Sequence, residues 1–235
     1  MISAEISTIW RYQATEKIKR LPRKLKTLEV GCGSAPYSEL FKDYTGCDID
    51  GGRFPKKGKF AVCDARDMKF KDNEFEFILC YALLEHVAEP ERIVSEMHRV
   101  LKKGGRAFLT CTARTGSYFE VYPVLNKYSG KGFKKLVEAP GFRVEEFGTL
   151  CGGSIAYLFE LVDFTIFKLL LKFAPSLVPK KIRDQFKLER LSKQELKREY
   201  GGVMGARADL VKILYRIESK IPTLVPVTYY AVVVK

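Results

Sequence analysis

Short apolar runs recur through the first half of the chain, most of them closing on a cysteine, an acid or a glycine. Thr27–Val30, Tyr44–Asp48, Phe60–Cys63, Phe75–Tyr81 and Arg106–Thr112 have the length and residue content of strands. Phe75–Tyr81 is almost continuously apolar, broken by Glu76, as expected of a parallel strand buried on both faces. Elsewhere the period changes. Pro90 opens a segment with apolar residues at Ile93, Val94, Met97, Val100 and Leu101, the 3.6-residue repeat of an amphipathic helix, which Gly104-Gly105 ends. Pro36 opens a further helix through about Phe41. The stretch Asp50-Gly-Gly-Arg-Phe-Pro-Lys-Lys-Gly58 is too rich in glycine and proline for one. Strands alternating with helices make βαβ units, so the fold class is α/β with a parallel sheet.

Beyond Thr112 the pattern loosens. Lys131–Ala139 reads as a helix stopped at Pro140-Gly141, Arg143–Leu150 as a strand, and Thr228–Val234 as a final β run. Residues 1–26 form a helical lead-in carrying the single tryptophan, Trp10, with Tyr12. Ser154 caps a long helix from Ile155 to Phe173, and residues 180–220 are basic and mostly helical. Glu160, Asp163, Lys168 and Lys172 punctuate the long helix, which argues against a membrane span. Phe164, Phe167 and Leu171 share an angular sector with those charges. Either residues 180–225 cover that face, or it is left for a partner helix, a peripheral membrane contact or an apolar substrate.

Composition narrows the class. At 235 residues, 46% of them hydrophobic, the chain supports one large domain, or one domain with an appended cap. The formal charge of +13 attracts polyanions or simply keeps a basic surface solvated. Six basic residues and no acid fall between Lys17 and Lys26, a linker or a phosphate flank. Cys32, Cys47, Cys63, Cys80, Cys111 and Cys151 form no CxxC pair and have no histidine at ligand spacing, so no metal site is expected. Most of them read as small buried hydrophobes, in a reducing environment. The N-terminus is polar and charged early, so a cytoplasmic location without a secretory signal is expected.

The chemistry concentrates in Thr27-Leu-Glu-Val-Gly-Cys-Gly-Ser34 and Gly46-Cys-Asp48. Glycines let the backbone approach a ligand where a Cβ would collide. A carboxylate ending the next strand suits a ribose diol. The pairing points to an adenosine-type ligand at the C-terminal edge of the sheet. Ser34-Ala-Pro36 leaves G-x-G-x-x-G incomplete, which counts against a nicotinamide dehydrogenase.

The ordered set Glu29-Val-Gly-Cys-Gly33, Gly46-Cys-Asp48, Cys63-Asp-Ala65, Leu84-Glu-His86 and Arg99-Val-Leu-Lys-Lys-Gly-Gly105 resembles the class I S-adenosylmethionine-dependent methyltransferases. The branch it is most similar to includes the ubiquinone and menaquinone C-methyltransferases. The resemblance is strong over residues 27–112, weaker through 133–145, and absent from 155–220. It implies a Rossmann-like, doubly wound, mostly parallel seven-stranded sheet with a helical C-terminal insertion. The domains would be an N-terminal helical lid (1–26), a cofactor-binding domain (27–150 with 226–235) and a helical insertion (151–225) for substrate or partner.

The resemblance also assigns roles. Gly31, Cys32 and Gly33 would line the methionine part of S-adenosylmethionine, and Glu29 would orient its amino group. Asp48 would hold the ribose hydroxyls and Ile49 would pack on adenine. Asp64 would accept from the adenine amino group beside the Ala65 backbone. Cys80 would offer a backbone carbonyl near the methionine ammonium. The helix usual between the second and third strands is replaced by Gly51–Gly58, which loosens the Ile49 assignment. His86 and Tyr81 are the candidate catalytic residues at the reactive edge, though His86 suits bracing its loop by hydrogen bonding better than catalysis. Tyr12, Tyr122 and Tyr128 stand nearby, and His98 is structural. The acceptor reads as a small molecule, apolar or glycan- or lipid-linked. An RNA acceptor and a non-catalytic cofactor-binding module remain as alternatives, the first because of the charge.

Overall fold

The structure, a computed structural model, describes residues 9–55, 58–119, 124–150 and 226–235, together with Val162, Thr165, Ile166, Leu169 and Phe173. Seven strands make one sheet: β1 (Lys26–Val30), β2 (Asp43–Asp48), β3 (Lys59–Val62), β4 (Phe75–Cys80), β5 (Leu101–Thr112), β6 (Arg143–Leu150) and β7 (Thr228–Val234). Their order is β3-β2-β1-β4-β5-β7-β6. β7 runs antiparallel to both β5 and β6, and the remaining pairs are parallel. The chain leaves β1 toward β2 and β3, then returns to pair β4 on the other side of β1. That reversal opens a crevice at the C-terminal ends of β1 and β4, where doubly wound folds bind ligands.

Strand alternation divides the core between the two faces. Ile78 and Cys80 of β4 face a cluster with Ile93, Val94 and Met97 of α2 (Pro90–Val100) and Phe133 and Val137 of α3 (Gly130–Glu138). Phe77 and Leu79 face the other way, onto Ala14 and Ile18 of α1 (Ile9–Ile18), Tyr37, Phe108 and Tyr230. The buried positions of α2 fall at the 3.6-residue period read from the sequence. Ser129 caps α3 by accepting from the Gly132 amide at 3.1 Å.

Two elements differ from expectation. The helix placed over 36–41 is one 3-10 turn, Ser38–Leu40. Residues 31–42 are all that separate β1 from β2, close to the shortest chain that crosses between parallel strands. Tyr37, Phe41 and Tyr44 fill that side of the sheet instead. The helix ending at Gly104-Gly105 stops earlier, at Val100, and β5 begins at once with Leu101 paired to Phe75. Arg106 then pairs with Phe77, so Lys102 to Gly105 are absorbed in a bulge. Lys235 secures it, accepting from the Gly104 amide at 3.0 Å and donating to the Gly105 carbonyl at 3.1 Å.

Among the described residues no α-helix stands between β2 and β3, as expected. A 3-10 turn, Gly51–Arg53, forms there, with the Asp50 carboxylate accepting from the Gly52 amide. Most of 151–225 lies outside the described residues, including Cys151, Phe164, Phe167, Leu171 and the stretch 180–220. The five described residues within it are helical. Among the described residues no helix is long and apolar enough to cross a membrane.

Candidate cofactor and acceptor site

The turn after β1 is built around Cys47 and Asp48 of the neighbouring strand. The amides of Gly31 and Cys32 donate to the Cys47 carbonyl at 2.9 and 3.0 Å. The Gly33 amide donates to Asp48 Oδ2 at 2.8 Å, and the Asp50 amide to Asp48 Oδ1 at 3.0 Å. Asp48 therefore locks both the glycine turn and the start of the next loop. Each carboxylate oxygen retains a second lone pair for a diol.

Gly31 and Gly33 both adopt left-handed φ, +71° and +51°. Their surroundings differ. A Cβ on Gly31 would lie 2.8 Å from Leu83 Cδ1, so the 81–86 loop rests directly on the turn. A Cβ on Gly33 would meet nothing within 4 Å. That open space beside a backbone amide fits the methionine end of the implied cofactor. Gly33→Ala is expected to cost about 1 kcal/mol of stability from the φ alone, yet to weaken S-adenosylhomocysteine binding about tenfold or more, because the methyl fills the cradle. A thermal melt and a calorimetric titration of the same variant separate the two effects.

Glu29 is 2% exposed, and Tyr44 donates its hydroxyl to Glu29 Oε2 at 2.5 Å. Burial, then the adjacent Glu29 charge, raises the Tyr44 hydroxyl far above the usual phenol range, so it stays a donor. Cys32 lies beside them. Its burial, with the Glu29 and Asp48 charges, pushes the thiol up to about 12, which makes it a wall rather than a nucleophile.

The C-terminal ends of β2 and β3 carry exposed apolar surface next to acid. Ile49 is 73% and Val62 68% exposed, following Asp48 and ending β3. The Cys63 amide donates to the Asp48 carbonyl at 3.0 Å, so the Asp48 and Asp64 ends of the two strands lie side by side. Asp64 is already engaged. Its Oδ1 accepts from the Arg66 amide and Nε at 2.9 and 3.0 Å, and its Oδ2 from Nη2 at 2.6 Å. The Arg66 guanidinium holds the carboxyl down at about 2. Ala65 packs against the core beneath.

At the C-terminal end of β4, Cys80 is fully buried and pairs with Val30, level with the glycine turn. Tyr81 follows it, its ring edge-on to Tyr37 at 5.6 Å. The Ala82 amide donates to Thr110 Oγ1 at 2.9 Å. Glu85 is buried and anchors two loops. Its Oε1 accepts from Thr112 Oγ1 at 2.8 Å, and its backbone carbonyl from the amides of Leu125 and Asn126 at 2.8 and 3.1 Å. Asn126 reciprocates, donating from Nδ2 to the Leu84 and Val87 carbonyls at 3.0 and 2.7 Å. His86 sits within this clasp, its amide donating to the Leu83 carbonyl. Burial raises the Tyr128 hydroxyl above its ordinary value, which disfavours it as a base. His98 lies edge-on to Phe142 at 4.9 Å, a packing role.

The sequence residues thus converge on one edge: 29–33, 48–49, 64–65 and 80–86. Tyr122 lies outside the described residues. Tyr44, Arg66, Thr112 and Asn126 emerge from the structure alone. The charge-complementary pair Asp64-Ala-Arg66 was the one available signal among them.

Residues 28–109 match the family model described as a methyltransferase domain. An uncharacterized protein of Methanocaldococcus jannaschii is 32% identical over 111 residues, covering 46% of this chain and 54% of that protein. The chain thus spans about half the length of that relative. The demethylmenaquinone methyltransferase of Listeria monocytogenes is 26% identical over 164 residues, covering 57% of this chain and 68% of the relative. The crystal structure of a SAM-dependent methyltransferase from Archaeoglobus fulgidus superposes with a TM-score of 0.56 at 16% identity, over 97% of this chain and 92% of that one, a likeness of fold. With the glycine turn, the acid-ended strands and the β3-β2-β1-β4-β5-β7-β6 sheet in place, residues 28–109 are similar to a methyltransferase domain, on a sheet of the fold seen in S-adenosylmethionine-dependent methyltransferases.

Proposed function

We propose that this protein transfers the methyl group of S-adenosylmethionine to a small-molecule acceptor, by in-line attack of the acceptor's nucleophilic atom. The observation that supports the reading most is the open cradle at Gly33, clasped by Asp48. The cofactor supplies an electrophilic methyl on a sulfonium. The protein's work is to bind, align and exclude water. Gly31, Cys32 and Gly33 line the methionine portion, with Glu29, steadied by Tyr44, turned to its amino group. Asp48 takes the ribose hydroxyls, Ile49 covers an adenine face, and Asp64 and the Ala65 backbone meet its edge. The Cys80 carbonyl faces the ammonium. Alignment of this kind is worth up to about 7–11 kcal/mol of barrier. Where the acceptor carries a proton, His86 or Tyr81 takes it. The acceptor is apolar or glycan- or lipid-linked, a class to which the demethylmenaquinone named for the Listeria relatives belongs. Residues 1–26 serve as its lid and 151–225 as its flank, in a reducing cytoplasm.

Calorimetric titration with S-adenosylhomocysteine tests the reading. Micromolar binding is expected, and its absence would overturn the cofactor assignment. The Asp64–Arg66 pair adds a pH signature. Because Arg66 depresses the Asp64 pKa, the carboxylate stays charged as pH falls through the ordinary carboxylate range and is lost only toward about 2. In Arg66→Ala it titrates near its usual value of ~3.9. Between pH 7 and about pH 4 the variant is expected to lose about twofold more affinity than the wild type, since half its Asp64 is then neutral. Parallel profiles would remove Asp64 from the adenine site.

A further inference from the structure

The helical residues Val162, Ile166, Leu169 and Phe173 are 56%, 52%, 49% and 72% exposed. On the helix read from the sequence over Ile155–Phe173, their spacing of four, three and four places them within an arc of about 60°. Isolated exposed apolar side chains need no explanation, but an aligned stripe marks a surface that is covered in use. Two features of the chain choose the cover. The stripe is aliphatic and aromatic throughout, without a polar group to specify a protein partner. The chain also carries +13; Glu160 and Asp163 balance Lys168 and Lys172 within this stretch of sequence, and Lys180, Lys181 and Arg183 soon after it leave the surroundings basic. A second copy with the same charge is repelled, whereas an anionic bilayer attracts the basic residues and takes up the apolar ones.

We propose that the Val162, Ile166, Leu169 and Phe173 stripe docks this protein on an anionic membrane surface, lying in the headgroup region without spanning. The docking is independent of methyl transfer and of the cofactor titration.

The test is co-sedimentation of the full chain with vesicles of phosphatidylcholine alone, or of phosphatidylcholine with a minority of phosphatidylglycerol. Binding to the anionic vesicles only, weakened by salt, is expected. The double variant Ile166→Ser, Leu169→Ser is expected to reduce partitioning about tenfold or more with an unchanged thermal melt. Should that variant melt early, Val162→Ser with Phe173→Ser serves as the second pair. Three results overturn the proposal. One is a wild type that ignores anionic vesicles at low salt. Another is a folded variant that binds them as well as the wild type does. The third is a wild-type dimer in lipid-free light scattering that the substitutions convert to monomer, which would make the stripe a self-interface.

Discussion

Asp48→Ala is expected to weaken S-adenosylhomocysteine binding by about a hundredfold or more, with most of the fold's stability intact. The carboxylate does three things that alanine cannot. It accepts from the Gly33 amide at 2.8 Å, accepts from the Asp50 amide at 3.0 Å, and retains lone pairs for the ribose hydroxyls. Hydrogen bonds to a charged group are worth about 1.5–3 kcal/mol each. A bidentate diol contact thus accounts for the affinity loss, and the freed glycine turn adds to it. The fold survives because β2 is held by its backbone. Asp48 stays in register with Val62, and its carbonyl still accepts from the Cys63 amide. Asp48→Asn keeps one acceptor oxygen and is expected to fall between, at about a tenfold loss. Calorimetry on the three proteins, with thermal melts alongside, checks the ordering. Equal affinities would mean that the carboxylate faces the turn alone.

That site was legible because its signals are local. Gly31, Gly33, Asp48 and Asp64 each end or follow a strand within a few residues, and sequence position alone brings them to one edge of a parallel sheet. The strands read from 27–30, 44–48 and 75–81 lie within one residue of β1, β2 and β4 at each end. What escaped needs register or long separations. Tyr44 reaches Glu29 because Thr45 pairs with Leu28 and Gly46 with Glu29, an alignment that apolar pattern does not specify. Asn126 clasps carbonyls about forty residues back in the chain. Gly104-Gly105 signalled an ending, but glycines close a helix and ease a bulge equally well, and Lys235 decided which. The 36–41 helix failed for want of chain length. Its aromatic residues pack as well on a 3-10 turn as on a helix.

The same absence of helices explains the second large effect, which is on stability. No helix joins β3 to β4 among the described residues; the 63–74 segment crosses as turns and loop, and Arg99 of α2 fastens it. The guanidinium donates to the Met68 carbonyl at 2.7 Å, the Phe70 carbonyl at 2.8 Å and Asp72 Oδ1 at 2.7 Å. It also binds both oxygens of Glu96, at 2.7 and 2.8 Å, and Glu96 Oε2 in turn accepts from the Met68 amide at 2.7 Å. Arg99 holds the Glu96 carboxyl below its usual pKa. Removing the side chain takes this donor from two loop carbonyls and two carboxylates, so Arg99→Ala is expected to cost about 3 kcal/mol. For a chain of this size that lowers the melting temperature by roughly 6–12 °C. Arg99→Lys should recover little, because one ammonium cannot reproduce a planar fork serving five acceptor oxygens. Met68, buried at 2% exposure, would loosen from the core as the crossover lifts, and hydrogen exchange at its amide should rise before that of β4. Asp64, proposed to meet adenine, lies at the start of this crossover. A destabilised Arg99→Ala should therefore also bind S-adenosylhomocysteine more weakly near its melting range. It should recover wild-type affinity at low temperature, where the crossover is closed. A variant that melts like the wild type would show that the Met68 and Phe75 side chains alone hold the segment down.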